Sequence, residues 1–98
     1  MKFLLAALLV VSALPAAAAN HSVSIKGMKF SPASLTVAAG DTITFSNGDA
    51  MPHTASGPAF DTGNIAPGSS KKVTVPAAGT HAYKCKLHPS MKGSVTAR

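Results

Sequence analysis

The apolar residues of this chain recur at every second position, in runs too short for helices. Val23 and Ile25 alternate with Ser22, Ser24 and Lys26, and Ile43 and Phe45 alternate within Thr42 to Ser46. Leu35-Thr36-Val37, Val73 with Val75, and Val95 with Ala97 repeat the pattern. A period of two residues belongs to a pleated strand with one face buried. Gly and Pro close the runs. Ala39-Gly40-Asp41, Asn47-Gly48-Asp49, Ala66-Pro67-Gly68 and Pro76 to Gly79 all carry turn signals. Roughly six to eight short strands follow, so the chain is expected to be all-β, a sandwich or a barrel. Ala50 to Ile65 is the least regular segment, expected to form a loop or a short helical turn. Nothing reads as a repeat, a linker or a second domain.

Met1-Lys2-Phe3 places one Lys before an apolar run from Leu4 to Leu14, broken only by Ser12. Pro15 and Ala16 to Ala19 follow. Charge, apolar core and small residues come in the order of a secretory signal peptide. The run is too short to cross a bilayer; an uncleaved N-terminal anchor is the rival reading. Residues 1–19 are thus expected to be cleaved on export to the periplasm, leaving 20–98 as a single domain without stable membrane insertion. A domain of about 80 residues has a marginal core unless a disulfide or a metal helps it. Cys85 is the only cysteine, which rules out an intramolecular disulfide. A lone Cys in an exported chain is a metal ligand, a buried inert thiol or half of an intermolecular disulfide.

Past the signal segment, eight cationic residues face Asp41, Asp49 and Asp61: Lys26, Lys29, Lys71, Lys72, Lys84, Lys86, Lys92 and Arg98. Nucleic-acid binding calls for clustered charge and stacking aromatics. Here the lysines are scattered, and Phe30, Phe45, Phe60 and Tyr83 sit in apolar alternation. The basic surface is either simply solvated or steers the chain towards an acidic protein or an anionic membrane surface.

The chemistry concentrates in Cys85-Lys-Leu-His88-Pro-Ser-Met91. His81, Tyr83 and Cys85 share one strand face and Lys84 and Lys86 the other, so the Cys85 sulfur is expected to point inward. A buried thiolate needs a counter-charge, and a metal is the strongest. His88 and Met91 lie in the loop leaving that strand, stiffened by Pro89. His81 is four residues before Cys85, about 13 Å along an extended strand at roughly 3.3 Å per residue, and cannot share its metal. It is expected to be a half-buried histidine with a backbone partner. His21 sits at the frayed start of the mature chain. His53 follows a strand and a Pro-bearing loop and is the chosen second imidazole. His53, Cys85, His88 and Met91 make the donor set of a blue-copper electron-transfer site. Zinc is the main metal alternative, although structural zinc sites rarely use a thioether. Cys-x-x-Cys-His, the haem-attachment pattern, is absent, and nothing suggests a hydrolase.

Met28-Lys29-Phe30, Ala39-Gly40-Asp41-Thr42, Asp49-Ala50-Met51-Pro52-His53 and Gly79-Thr80 leading into Tyr83-x-Cys85-x-x-His88-Pro89-x-Met91-x-Gly93 together resemble the small blue copper proteins, the cupredoxins. The short Cys-to-Met loop resembles amicyanin more than plastocyanin. The resemblance implies a Greek-key β-sandwich holding one type 1 copper ion at one end, with His53, Cys85 and His88 equatorial and Met91 axial. It implies an apolar port around the His88 edge, bordered by Pro52, Pro89 and Met51. It also implies a monomer that is not an enzyme and that passes electrons between redox partners such as a cytochrome or a dehydrogenase. The chain departs from the pattern in a shorter stretch between His53 and Cys85. Thr54 stands where relatives place an Asn that locks the ligand loops, and could still offer its backbone N–H to the Cys85 sulfur. His81 stands in place of an aromatic. Two other readings remain: a copper storage or delivery module, aided by an N-terminal amine-x-His21 chelate, and a structural β-domain with a vestigial site.

Overall fold

The computed structural model describes residues 18–98. Residues 1–17 of the expected signal peptide lie outside them. Seven strands form: β1 (Asn20–Lys26), β2 (Lys29–Ser31), β3 (Ser34–Val37), β4 (Thr42–Asn47), β5 (Ser70–Thr74), β6 (Gly79–Lys84) and β7 (Lys92–Ala97). They make a four-stranded sheet in the order β2-β1-β4-β5 and a three-stranded sheet in the order β3-β7-β6. The chain crosses between sheets after β2, β3 and β5. Those crossings make β1 run parallel to β4 and β3 parallel to β7, while the other pairs are antiparallel. This is the expected all-β, Greek-key sandwich.

Alternation puts Val23, Ile25, Ile43, Phe45, Val73, Val75, Val95 and Ala97 in the core between the sheets. Tyr83 sits among the aromatics there, with ring centroids 4.8 Å from Phe30, 5.4 Å from Phe45 and 5.6 Å from Phe60. Edge-on and tilted aromatic packing of this kind adds to the area buried. Burial pushes the Tyr83 hydroxyl up to about 12.

Two local features differ from the sequence reading. His21 is no frayed terminus: it lies within β1, pairs with Ile43 of β4, and its Nε2 is 2.9 Å from an Asp41 oxygen. Asp41, at the turn into β4, also accepts the N–H groups of Ala19 and Ala38. Residues 50–65 contain no helical turn. They fold as a loose hairpin held by His53↔Ile65 and Ser56↔Asp61 bridges, and Ser56 also bridges to Lys84 on the free edge of β6. That second contact draws the loop along the three-stranded sheet and carries His53 to the end of β6.

Candidate metal centre

Three donors converge where β6 ends. Cys85 continues the inward face of β6 one step beyond the strand and is fully buried. The loop after it is a tight one. Cys85 N–H donates to Met91 C=O at 3.0 Å, and His88 and Met91 N–H groups donate back to Cys85 and His88 carbonyls. This turn places His88 Nδ1 3.7 Å from Cys85 Sγ. His53 arrives from the other side, held by its two backbone bonds with Ile65, with Nδ1 also 3.7 Å from the sulfur. The His53 nitrogen, the Cys85 sulfur and the His88 nitrogen all lie within 4.8 Å of one another. Donors about 2.0–2.3 Å from a common ion, arranged trigonally, would stand roughly 3.7 Å apart. The observed separations therefore fit one ion shared by three ligands. Met91 is buried in the same core cluster as Cys85. The structure thus brings together His53, Cys85 and His88 and buries Met91 on their loop.

His81 stays apart. It is partly buried, and its Nε2 lies 2.7 Å from the Ala77 carbonyl, the backbone partner expected for it. His21 is held by Asp41 at the start of β1.

Around the donors runs a shell of hydrogen bonds. His53 Nε2 donates to Asp49 Oδ2 at 2.9 Å. That bond fixes the tautomer and leaves Nδ1 free to bind a metal. Asp49 is itself held by the β1–β2 turn, where Gly27 and Met28 both have a φ of 62°. Their N–H groups donate to the Asp49 carboxylate at 2.7 and 3.0 Å. Those two donors, Met28 first, lower the Asp49 carboxyl below its usual range. Left-handed backbone at a non-glycine such as Met28 costs energy, and its bond to Asp49 offsets part of that.

Thr54 bonds the Cys85 segment twice. Its N–H donates to Cys85 Sγ at 3.3 Å, and its Oγ1 accepts the Lys86 N–H at 2.9 Å. The Thr54 hydroxyl lies 2.9 Å from that of Ser56, which donates to Asp61 Oδ1 at 2.8 Å. Asp61 Oδ2 accepts Lys86 Nζ at 2.8 Å. Burial would raise the Cys85 thiol pKa. The Thr54 N–H, the two imidazoles beside the sulfur and the Leu87 backbone outweigh this and bring it to about 6. A thiol so tuned is readily a thiolate, the form a metal binds.

Sequence reasoning missed Asp49, Ser56 and Asp61. Asp49 was legible only as part of a turn, although its spacing of four residues from His53 is a usable signal. Ser56 and Asp61 act across long sequence separations, and nothing local marks them.

A small β-sandwich with a His–Cys–His donor cluster at one end defines a class of single-domain metal proteins. Within that class the chain belongs to the cupredoxins: the description "cupredoxin-like domain" matches residues 2–97. It is similar to amicyanin-alpha of Methylorubrum extorquens, 34% identical over 82% of this chain and 73% of that protein. It is also similar to plastocyanin A/B of Petroselinum crispum, 35% identical over 71% of this chain and 88% of that one. Among solved structures, a reduced amicyanin variant superposes with a TM-score of 0.75 at 31% identity. That match covers 81% of this chain and 82% of that one.

Proposed function

We propose that this protein is an exported blue copper protein that carries single electrons between redox partners. The observation that carries this is the approach of His53 Nδ1 and His88 Nδ1 to Cys85 Sγ, each at 3.7 Å, on the loops of a cupredoxin sandwich. In this reading His53, Cys85, His88 and Met91 would hold the copper, with the Met91 thioether as the weakest donor. Thiolate and thioether suit Cu(I), and imidazole suits both oxidation states, so bound copper supplies a one-electron Cu(II)/Cu(I) couple. The rest is the work of the chain. Asp49 holds the His53 ring, Thr54 donates to the sulfur, and the sandwich keeps the donors in one place through the cycle. His88 is half-exposed, and Met28, Met51 and Leu87 are the exposed large apolar side chains among the described residues. Each belongs to a loop of the centre. In this reading they border, with Pro52 and Pro89, the apolar port through which electrons pass in brief encounters.

Residues 1–19 act as the cleaved export signal in this reading, residues 20–98 as a monomeric domain, and the periplasm as its compartment. By analogy with the amicyanins and plastocyanins, the partners are redox proteins such as a cytochrome or a dehydrogenase. An N-terminal copper chelate is disfavoured, because Asn20 and His21 are committed to the β4 ladder and to Asp41. Among the described residues the storage reading has no second donor cluster to draw on.

The test is the absorption spectrum and copper count of the reconstituted protein, with a redox titration. One copper per chain, an intense thiolate-to-copper band lost in Cys85→Ser, and a one-electron wave are expected. A fully loaded, oxidised wild type without colour refutes the assignment.

A further inference from the structure

The chain contains three side-chain carboxylates, and all three are committed. Asp41 holds His21, Asp49 holds His53 and Asp61 holds Lys86. Lys84 and Lys92 have no ion-pair partner among the described residues. They face each other directly in the β6–β7 ladder. Like charges placed opposite one another weaken a sheet, and no side-chain carboxylate of this chain remains to offset them.

Both lysines line a groove whose other walls include Ala82, Gly57, Pro58 and Gly93. Those residues are small or compact, so the groove is largely apolar beside the two lysines. Its Gly57 wall is fixed in place: a Cβ there would collide with the Ala82 carbonyl, and the Ser56↔Lys84 bridge pins the loop to β6. The groove is therefore preformed. It also abuts the metal centre, since Lys84 precedes Cys85 and Lys92 follows Met91. A second opposed pair, Lys26 and Lys29, flanks the β1–β2 turn; what sets Lys84 and Lys92 apart is the groove that both line.

We propose that this groove docks an acidic segment of a partner protein, its carboxylates spanning Lys84 and Lys92. That the partner exchanges electrons here rests on the electron-carrier reading above; the groove itself does not. Carboxylates seated there would cancel the repulsion across the ladder and hold a partner beside the base of the Cys85–Met91 loop. Charge of this kind acts mainly on the rate of encounter and its salt dependence.

The experiment titrates isotopically labelled, metal-free full-length protein with a capped oligoglutamate peptide and follows amide shifts. Shifts should concentrate at Ser56, Gly57, Ala82, Lys84, Lys92 and Gly93 and fade as salt rises. Lys84→Glu should weaken binding by about tenfold, while Lys71→Glu on β5, the same charge change on the other sheet, should alter it little. Because Lys84→Glu creates an opposite-charge pair with Lys92, it should also raise the melting temperature, which separates lost binding from lost folding. Equal losses from the β5 and β6 changes, or shifts spread over all the lysines, overturn the proposal. So does Lys84-dependent binding to phosphatidylserine vesicles without any response to the peptide, which would make the surface a membrane contact. Oxidised, Cu(II)-loaded protein that is colourless but still binds peptide in the groove refutes the electron-carrier reading alone.

Discussion

Cys85 faces two opposed demands: a sulfur buried among apolar residues, and a thiolate ready for metal. The second is met by neighbours that are polar and held in turn by others, so the properties of the centre depend on residues that touch no metal. Asp49 is the first of these. Partners of a ligating histidine of this kind typically account for about 10–100-fold in metal affinity. Asp49→Ala is expected to lose that much copper affinity in a competitive chelator titration, with Asp49→Asn in between. Unchanged affinity in both would remove Asp49 from the centre. Thr54 is the second. Its N–H to the Cys85 sulfur was foreseeable from its place after His53, but its hydroxyl bond to Lys86 was not. Thr54→Val keeps the first and deletes the second. Leaving the Lys86 N–H short of a partner should cost about 1–3 kcal/mol in denaturant unfolding. Thr54→Ser should recover most of it, and a Val variant as stable as wild type would show that Oγ1 holds nothing. Spacing and strand parity pointed to Cys85, His88 and Met91 because they report on neighbours along the chain; His53 was reached only by comparing the remaining histidines. Ser56 and Asp61 were not legible, since their roles arise from a loop folding back onto a distant strand edge.

β6 shows how much a two-residue period can decide. It turns Tyr83 and Cys85 inward and Ala82 and Lys84 outward, which the alternation alone predicted. The same period demands space opposite Tyr83, and Gly93 provides it. A Cβ at Gly93 would land on the Tyr83 ring, its Cε1 only 2.8 Å away. Gly93→Ala should therefore destabilise by about 1–3 kcal/mol, the usual cost of overpacking. A smaller residue at position 83 should lessen that penalty in a double-mutant cycle, and strict additivity would contradict the clash. At the start of β1, Asp41 ties together Ala19, His21 and Ala38. The His21 ring, then the Ala38 and Ala19 N–H groups, lower its carboxyl from 3.8 to about 2. The folded state thus binds this proton less readily than the unfolded chain. The stability Asp41 confers is complete above its ordinary pKa and is lost as pH falls through about 2. Acid unfolding of the metal-free protein should be shallower between those limits in Asp41→Asn; an unchanged slope would show that the carboxylate contributes nothing. The loop from Gly48 to Ser69 was legible only as an irregular stretch with turns at its ends, because side-chain bonds and isolated bridges, rather than any period, give it shape.

Across the whole molecule, alternation revealed which faces are inward but not which strands are neighbours. The parallel β1–β4 and β3–β7 pairs follow from crossings between sheets, and no local pattern encodes those. The same crossings decide where the donors meet. His53 leaves β4 of the four-stranded sheet, while Cys85, His88 and Met91 lie between β6 and β7 of the three-stranded one. A metal bound by both sets joins the two layers at one end, in a domain with no disulfide and a modest core. Held in this way, the proposed copper would be a structural cross-link as well as a redox centre. Free ligand at a hundred times its dissociation constant adds about 2.7 kcal/mol to folding. For a domain this small each kcal/mol raises the melting temperature by about 4–8 °C. Copper in that excess is thus expected to raise the melting temperature by roughly 10–20 °C, and chelation to reverse it. Cys85→Ser and His53→Ala should melt near the metal-free temperature whether or not copper is present. Calorimetry on the three proteins, each with and without copper, decides it. A copper-induced rise of the same size in Cys85→Ser would place the stabilising ion elsewhere, and no rise in wild type would mean that the two layers are joined without it.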